Sequence, residues 1–286
     1  MKRWILKVVL IIFSLLVAGD VIFWQVWDRF NNGGEENPGI TRAIQDTETQ
    51  WMVSYLMESV SDPDLPRLIY VHGTPGDAGA FERYLLNPME GYESISVDRP
   101  GFGQTSPKIP AYSLADHAAA LEPFLVEQGG QWPILIGHSL GGPIIAQVAA
   151  QYPERVSGIV ILAGSLDPDE EKWHWYNRLL DWKATAYLVP QGLRNSNREL
   201  KPMRSELEKL EPLLSQVECL VTILHAPDDM LVPYANVAYM ERMFPEGSIL
   251  ETVILEEKNH FLPWNSEGEV RAAIVRMGEA MLEEED

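Results

Sequence analysis

Three residue types in this chain could together carry out nucleophilic attack on a carbonyl: a serine at 139, an acid among Asp167, Asp228 and Asp229, and a histidine at 260. A serine hydroxyl is a weak nucleophile until a neighbouring base takes its proton, and an imidazole does that best when an acid fixes its tautomer. Ser139 lies in Gly137-His138-Ser139-Leu140-Gly141-Gly142, between the apolar run Trp132 to Ile136 and the run Ile144 to Ala150. A strand that ends in G-x-S-x-G and turns at once into a helix forces its central serine into a strained conformation, tolerated only beside small neighbours. Gly137 and Gly141 supply that room. The two adjacent acids follow the apolar run Leu220 to Leu224, in His225-Ala226-Pro227-Asp228-Asp229-Met230-Leu231-Val232-Pro233, and the histidine stands in Asn259-His260-Phe261.

These groups need a scaffold that brings distant segments to one place. Short apolar runs alternate with helical patterns, as in a mostly parallel sheet covered by helices. Strands are expected at Trp51 to Met57, Arg67 to Val71, Ser94 to Val97, Pro133 to Ile136, Ser157 to Leu162, Leu220 to Leu224 and Leu250 to Leu255. Helices are expected at Ala80 to Leu86, Leu114 to Glu127, Leu140 to Gln151, Ala235 to Met243 and Glu267 to Leu282. The interval 166–218 breaks the alternation. It carries Trp173, Trp175, Tyr176, Leu179 and Trp182 on an amphipathic stretch and a second helical pattern over Glu206 to Leu214. It reads as a small helical cap, whose aromatic rings either pack it onto the core or line a small-molecule pocket.

Two further motifs, His72-Gly73-Thr74-Pro75-Gly76 after Arg67 to Val71 and Asp98-Arg99-Pro100-Gly101-Phe102-Gly103 after the next strand, complete a recognisable set. With the serine elbow and the acid and histidine segments in the order Ser, Asp, His, the chain resembles the α/β-hydrolase superfamily from about Trp51 onward, in particular its lidded bacterial esterase and lipase-like members. That resemblance implies an α/β-hydrolase fold and a catalytic triad of Ser139, Asp229 and His260. Asp229 is preferred to Asp228 and Asp167 because Asp-x-x-Val-Pro counted from it matches the family's acid loop. It also implies an oxyanion hole formed by the backbone N–H groups of Thr74 and Leu140, since Pro75 has no N–H to give. Haloalkane dehalogenases and epoxide hydrolases share the His-Gly-x-Pro-Gly loop but place aspartate at the elbow, so Ser139 argues against both. Carboxylic ester hydrolysis through an acyl-serine is the leading expectation. Acyl transfer or thioester cleavage on the same triad, and a non-catalytic membrane-tethered binding protein, are the alternatives. His72 and Asp98 read as supports of their loops, His138 as the variable elbow position, and His117, His174 and His225 have no catalytic context.

Composition sets the surroundings. A chain of 286 residues buries a continuous core in one large domain without a metal or disulfide staple. Cys219 is the only cysteine, which rules out an intramolecular disulfide and any cysteine cluster. The motifs require neither cofactor nor metal. A formal charge of −20 leaves no basic surplus for a nucleic-acid backbone; it reads first as a solvated acidic surface and only secondarily as a bar to anionic substrates. The expected partner is a small-molecule ester or acyl compound, with no protein partner indicated.

The first 30 residues stand apart. Met1-Lys2-Arg3 is basic, Val8 to Ala18 is uncharged and apolar, and Val21 to Trp24 continues that character. A helix from Trp4 to Trp27 would span about 36 Å at about 1.5 Å per residue, enough for a hydrocarbon core of roughly 30 Å. The favoured reading is a retained single-pass anchor with Lys2, Arg3 and Lys7 on the cytoplasmic side and the following domain outside the cytoplasm. The alternatives are signal cleavage after Gly19 with secretion, or a buried apolar helix of a soluble enzyme. A polar, glycine-rich linker over 31–39 leads into a domain over 40–286.

Overall fold

Runs of isoleucine, valine and leucine form the strands, and the central ones lack polar alternation because helices cover both of their faces. The computed structural model describes residues 37–60, 62–172 and 189–284. Among these the strands are β1 (Ile40–Asp46), β2 (Met52–Glu58), β3 (Arg67–Val71), β4 (Glu93–Val97), β5 (Ile134–His138), β6 (Gly158–Leu162), β7 (Leu220–His225) and β8 (Ile249–Ile254). They form one sheet in the order β1-β2-β4-β3-β5-β6-β7-β8. β1 pairs antiparallel with β2, and β2 antiparallel with β4. Every later neighbour pair is parallel.

The helices are α1 (Glu82–Leu86), α2 (Leu114–Leu121), α3 (Gly141–Gln151), α4 (Gln191–Leu200), α5 (Met203–Leu210), α6 (Ala235–Met243), α7 (Leu262–Asn265) and α8 (Glu267–Glu284). The period of two along a strand divides the core into two layers. Ile69 and Val71 of β3 join Leu114, Ile144, Val148, Leu207 and Met240 on one face. Leu68 and Tyr70 join Phe81, Tyr84, Ile274 and Met277 on the other. Each such large apolar side chain contributes about 1.5–3 kcal/mol when fully buried, so the two layers hold the sheet rigid beneath its loops.

The seven expected strands are all present, shifted by at most two residues at either end. β1 is an addition at the sheet edge. Its Ile-Thr-Arg-Ala-Ile-Gln-Asp sequence is half exposed and too polar to read as a buried strand. The helix expected to reach Glu127 ends at Leu121 and tightens into a 3₁₀ turn over Glu122–Phe124, because Pro123 cannot continue it. The helix expected over Glu206 to Leu214 is α5, which begins after Pro202 and gives way to a 3₁₀ segment at Glu211–Gln216, where Pro212 stands. In the cap interval, α4 was not expected at all. Trp173, Trp175, Tyr176, Leu179 and Trp182 lie outside the described residues, as do residues 1–30, expected as an anchor, and the expected linker up to residue 36. Among the described residues no helix is long and apolar enough to cross a membrane.

Candidate active site

The carboxyl ends of the parallel strands share one edge of the sheet, which is where open α/β sheets bind ligands. The serine segment follows β5, the acid segment follows β7, the histidine segment follows β8, and the His72 and Asp98 motifs follow β3 and β4. Ser139 takes up a left-handed backbone conformation with φ of 55°, unusual for a residue with a side chain. Its N–H donates to Leu162 O (2.9 Å), and its carbonyl accepts from Gly142 N (2.9 Å), fixing the turn between β5 and α3. The flanking glycines answer to close contacts. A Cβ on Gly137 would stand 2.4 Å from Gly141 O, and one on Gly141 would stand 2.2 Å from Val71 O. The result is a half-buried serine held clear of the sheet edge.

The acid and histidine segments meet. His260 Nδ1 donates to Asp229 Oδ2 at 2.8 Å, both residues being buried. Asp229 Oδ1 accepts from the N–H groups of Leu231 (2.8 Å) and Val232 (2.9 Å). Burial pushes the Asp229 carboxyl up, but the His260 bond and the two amides outweigh it, so it titrates below the usual range and stays ionised beside the ring. Asp228 points to solvent, and Asp167 Oδ1 instead accepts from Asp169 N (2.9 Å).

β8 lies three strands from β5, about 14 Å away at a spacing of about 4.8 Å, so the histidine loop has to return across the sheet edge. His138 holds it there. Its Nε2 donates to the His260 carbonyl at 2.8 Å, its ring lies 4.8 Å from the His260 ring, and Trp264 closes the other side edge-on at 5.6 Å. Burial, then the nearby His260, depress His138 to about 3, which keeps it a neutral imidazole. From sequence His138 is only the elbow's variable position, because a contact spanning 122 residues leaves no local pattern.

On the opposite side, Gly73 approaches the serine so closely that a Cβ there would meet Ser139 Cβ at 2.8 Å. His72 Nδ1 donates to Gly73 O (2.7 Å), while its Nε2 accepts from Arg99 N (3.2 Å). The fully buried His72 is held well below the ordinary histidine value by burial and then by Arg99, so it too is neutral. Asp98 ties its turn together, accepting from Ala78 N (2.7 Å) and Gln104 N (2.9 Å) and pairing with Arg42. His117 is buried beside Glu199, and His225 is buried against Tyr234; His174 lies outside the described residues.

Ser139, His260, Thr74 and Leu140 line one cavity of about 560 Å³, together with Leu193 and Leu200 of α4 and with Met230 to Pro233 of the acid loop. That volume suits a small organic ligand. Glu170, Glu171 and Lys172 border it from the cap side. Among the described residues no group of three or more His, Cys, Asp or Glu side chains is placed to hold a metal ion.

A mostly parallel sheet with an antiparallel leading edge, a strained serine turn after its fifth strand and an Asp–His pair at the same edge define an α/β hydrolase type of protein. The sequence profile of the alpha/beta hydrolase fold family matches residues 66–212, just over half of the chain, and the chain belongs to that family. It is 26% identical over 223 residues to a Cronobacter sakazakii protein named as a carbamate hydrolase, RutD, covering 65% of this chain and 82% of that one. Over 97 residues it is 32% identical to the dihydrolipoyllysine-residue acetyltransferase component of the acetoin cleaving system of Cupriavidus necator. That match takes in 34% of this chain, and the chain spans 26% of that protein's length. Among solved structures, the Cif epoxide hydrolase from Acinetobacter nosocomialis superposes with a TM-score of 0.71 at 14% identity, covering 91% of this chain and 96% of that one, a likeness of fold alone.

Proposed function

We propose that this protein is a serine hydrolase that cleaves a carboxylic ester or a related acyl bond through an acyl-serine intermediate. The observation that carries the reading is the 2.8 Å bond from His260 Nδ1 to Asp229 Oδ2, made by a histidine that opens onto the same cavity as the strained Ser139. Ser139 Oγ attacks the carbonyl carbon as His260 Nε2 takes its proton. Asp229 holds the tautomer and stabilises the imidazolium. The negative charge that builds on the carbonyl oxygen is met by the N–H groups of Thr74 and Leu140. Such fixed donors are worth on the order of 10² to 10³ in rate each. The protonated histidine then hands its proton to the leaving alcohol, and water repeats the sequence on the acyl-serine to release the acid. Leu193, Leu200 and Val232 give the cavity apolar walls suited to the acyl or alcohol part. The N-terminal apolar segment, on this reading, tethers the enzyme to a membrane with its site outside the cytoplasm. Resistance of the full chain to alkaline carbonate extraction from membranes is expected, and release into the soluble fraction would contradict the tether.

Hydrolysis is tested on the full chain in mild detergent with nitrophenyl esters of rising acyl length. Turnover should fall by on the order of 10⁶ in Ser139→Ala, as when other serine triads lose their nucleophile. Wild-type-like turnover in that variant would sink the assignment.

A further inference from the structure

Arg99 is fully buried, and a buried guanidinium stabilises a fold little better than apolar packing would, so what it positions becomes the question. Its fork reaches three residues. Nη1 and Nη2 donate to the two carboxylate oxygens of Glu199 at 2.8 and 3.1 Å, and Nε and Nη2 donate to the carbonyls of His72 and Gly73, both at 2.9 Å. Phe102 lies 4.8 Å beneath the guanidinium. Glu199, equally buried, belongs to α4 in the cap interval, with His117 Nε2 3.5 Å from its carboxylate.

The Gly73 carbonyl is one end of a peptide plane whose other end is the Thr74 N–H. A planar peptide with its oxygen fixed has its N–H direction fixed as well. Donation from a cation to that carbonyl also polarises the unit and strengthens its N–H as a donor. His72 Nδ1 grips the same oxygen at 2.7 Å. We infer that Arg99 and Glu199 form a positioning pair for the oxyanion hole: Glu199 on the cap helix orients the guanidinium, and the guanidinium holds the Gly73–Thr74 peptide with its N–H toward the developing oxyanion. The seat of the cap helix thereby sets the quality of the hole. This inference rests on the serine-hydrolase reading.

The test compares the full-length wild-type chain with Arg99→Met/Glu199→Met, which removes both buried charges while keeping volume, and with Glu199→Gln, which keeps the shape of the pair. The readouts are kcat and KM for nitrophenyl butyrate, the inhibition constant of phenylboronic acid, which forms a tetrahedral serine adduct, and the unfolding midpoint. In the double variant kcat should fall about 10- to 100-fold, less than or equal to the loss of one oxyanion donor. The boronic acid should weaken by the same factor while KM stays within about twofold, and Glu199→Gln should show the same pattern about tenfold or less. A folded double or single variant with kcat and boronate affinity unchanged would overturn the inference. So would a rise in KM alone, the mark of a damaged pocket. A wild-type chain that forms neither acyl-serine nor boronate adduct removes the underlying reading, and the inference falls with it.

Discussion

The two sides of the cavity are built differently. On the acid and histidine side the groups proposed to work are side chains, Asp229 and His260, joined directly and supported by the amides of Leu231 and Val232. On the opposite side the groups proposed to meet a substrate oxygen are the backbone N–H groups of Thr74 and Leu140, and His72, Arg99 and Glu199 are buried behind the loop. Proton transfer needs a titratable ring that can change charge. Oxyanion binding needs donors that do not move, and the backbone supplies them only when something grips its carbonyls. One side is therefore chemistry held by hydrogen bonds, and the other is hydrogen bonds held by buried charge.

The sharpest way to break this contrast is at the acid. Asp229→Asn should lower kcat by about 10⁴ with the fold intact, as in other triads whose acid is amidated. Asp228→Asn should leave it near wild type, because that side chain faces solvent. Steady-state ester hydrolysis decides, and the reverse pattern would move the acid by one residue.

A smaller effect is expected where the two sides meet, at His138. His138→Phe keeps a ring against Trp264 but removes the bond to the His260 carbonyl. A bond of this kind is worth about 1 kcal/mol, or roughly five- to tenfold in kcat if it is spent on holding the catalytic ring. An unchanged rate across the pH profile would show that the loop needs no such tie.

The smallest effect is a pH dependence of stability that belongs to the oxyanion side. Burial raises the Glu199 carboxyl, but Arg99 and then His117 outweigh it and hold it at about 2. Its folded value lies below the unfolded one, so the unfolded state binds more protons. The stabilisation is present above the ordinary glutamate range and is lost as pH falls from there toward about 2. Unfolding midpoints of Arg99→Met/Glu199→Met should fall less steeply than those of the wild type over that window. Parallel curves would mean that the pair carries no net linkage.

What the sequence displayed and what it hid follow the same division. The glycines at 137 and 141, the serine between them, and the acid and histidine segments are local signals, because each needs particular residue types at fixed short spacings. The central strands were equally legible, being unbroken apolar runs. α4 was invisible for a physical reason. Its buried positions include Asn195, Ser196, Asn197 and Glu199, and its two leucines, Leu193 and Leu200, face the cavity, so the face it buries is polar. Asn195 Nδ2 reaches the Gly101 carbonyl at 2.8 Å, and Glu199 reaches Arg99. A helix that docks by polar contacts to backbone and a buried cation carries too few apolar residues to read as a core helix. β1 escaped for the related reason that an edge strand exposes much of its length. Arg99 and His138 stand inside recognisable motifs, but their partners lie 100 and 122 residues away.

The proposed function turns on acylation of Ser139. The most direct measurement is intact mass and peptide mapping of the full chain, quenched shortly after mixing with a fluorophosphonate or a slowly deacylating ester. One added group per chain is expected, located on the peptide containing Ser139 and missing from Ser139→Ala. A hydrolytically active protein modified at another residue, or turning over with Ser139 never modified, would contradict it.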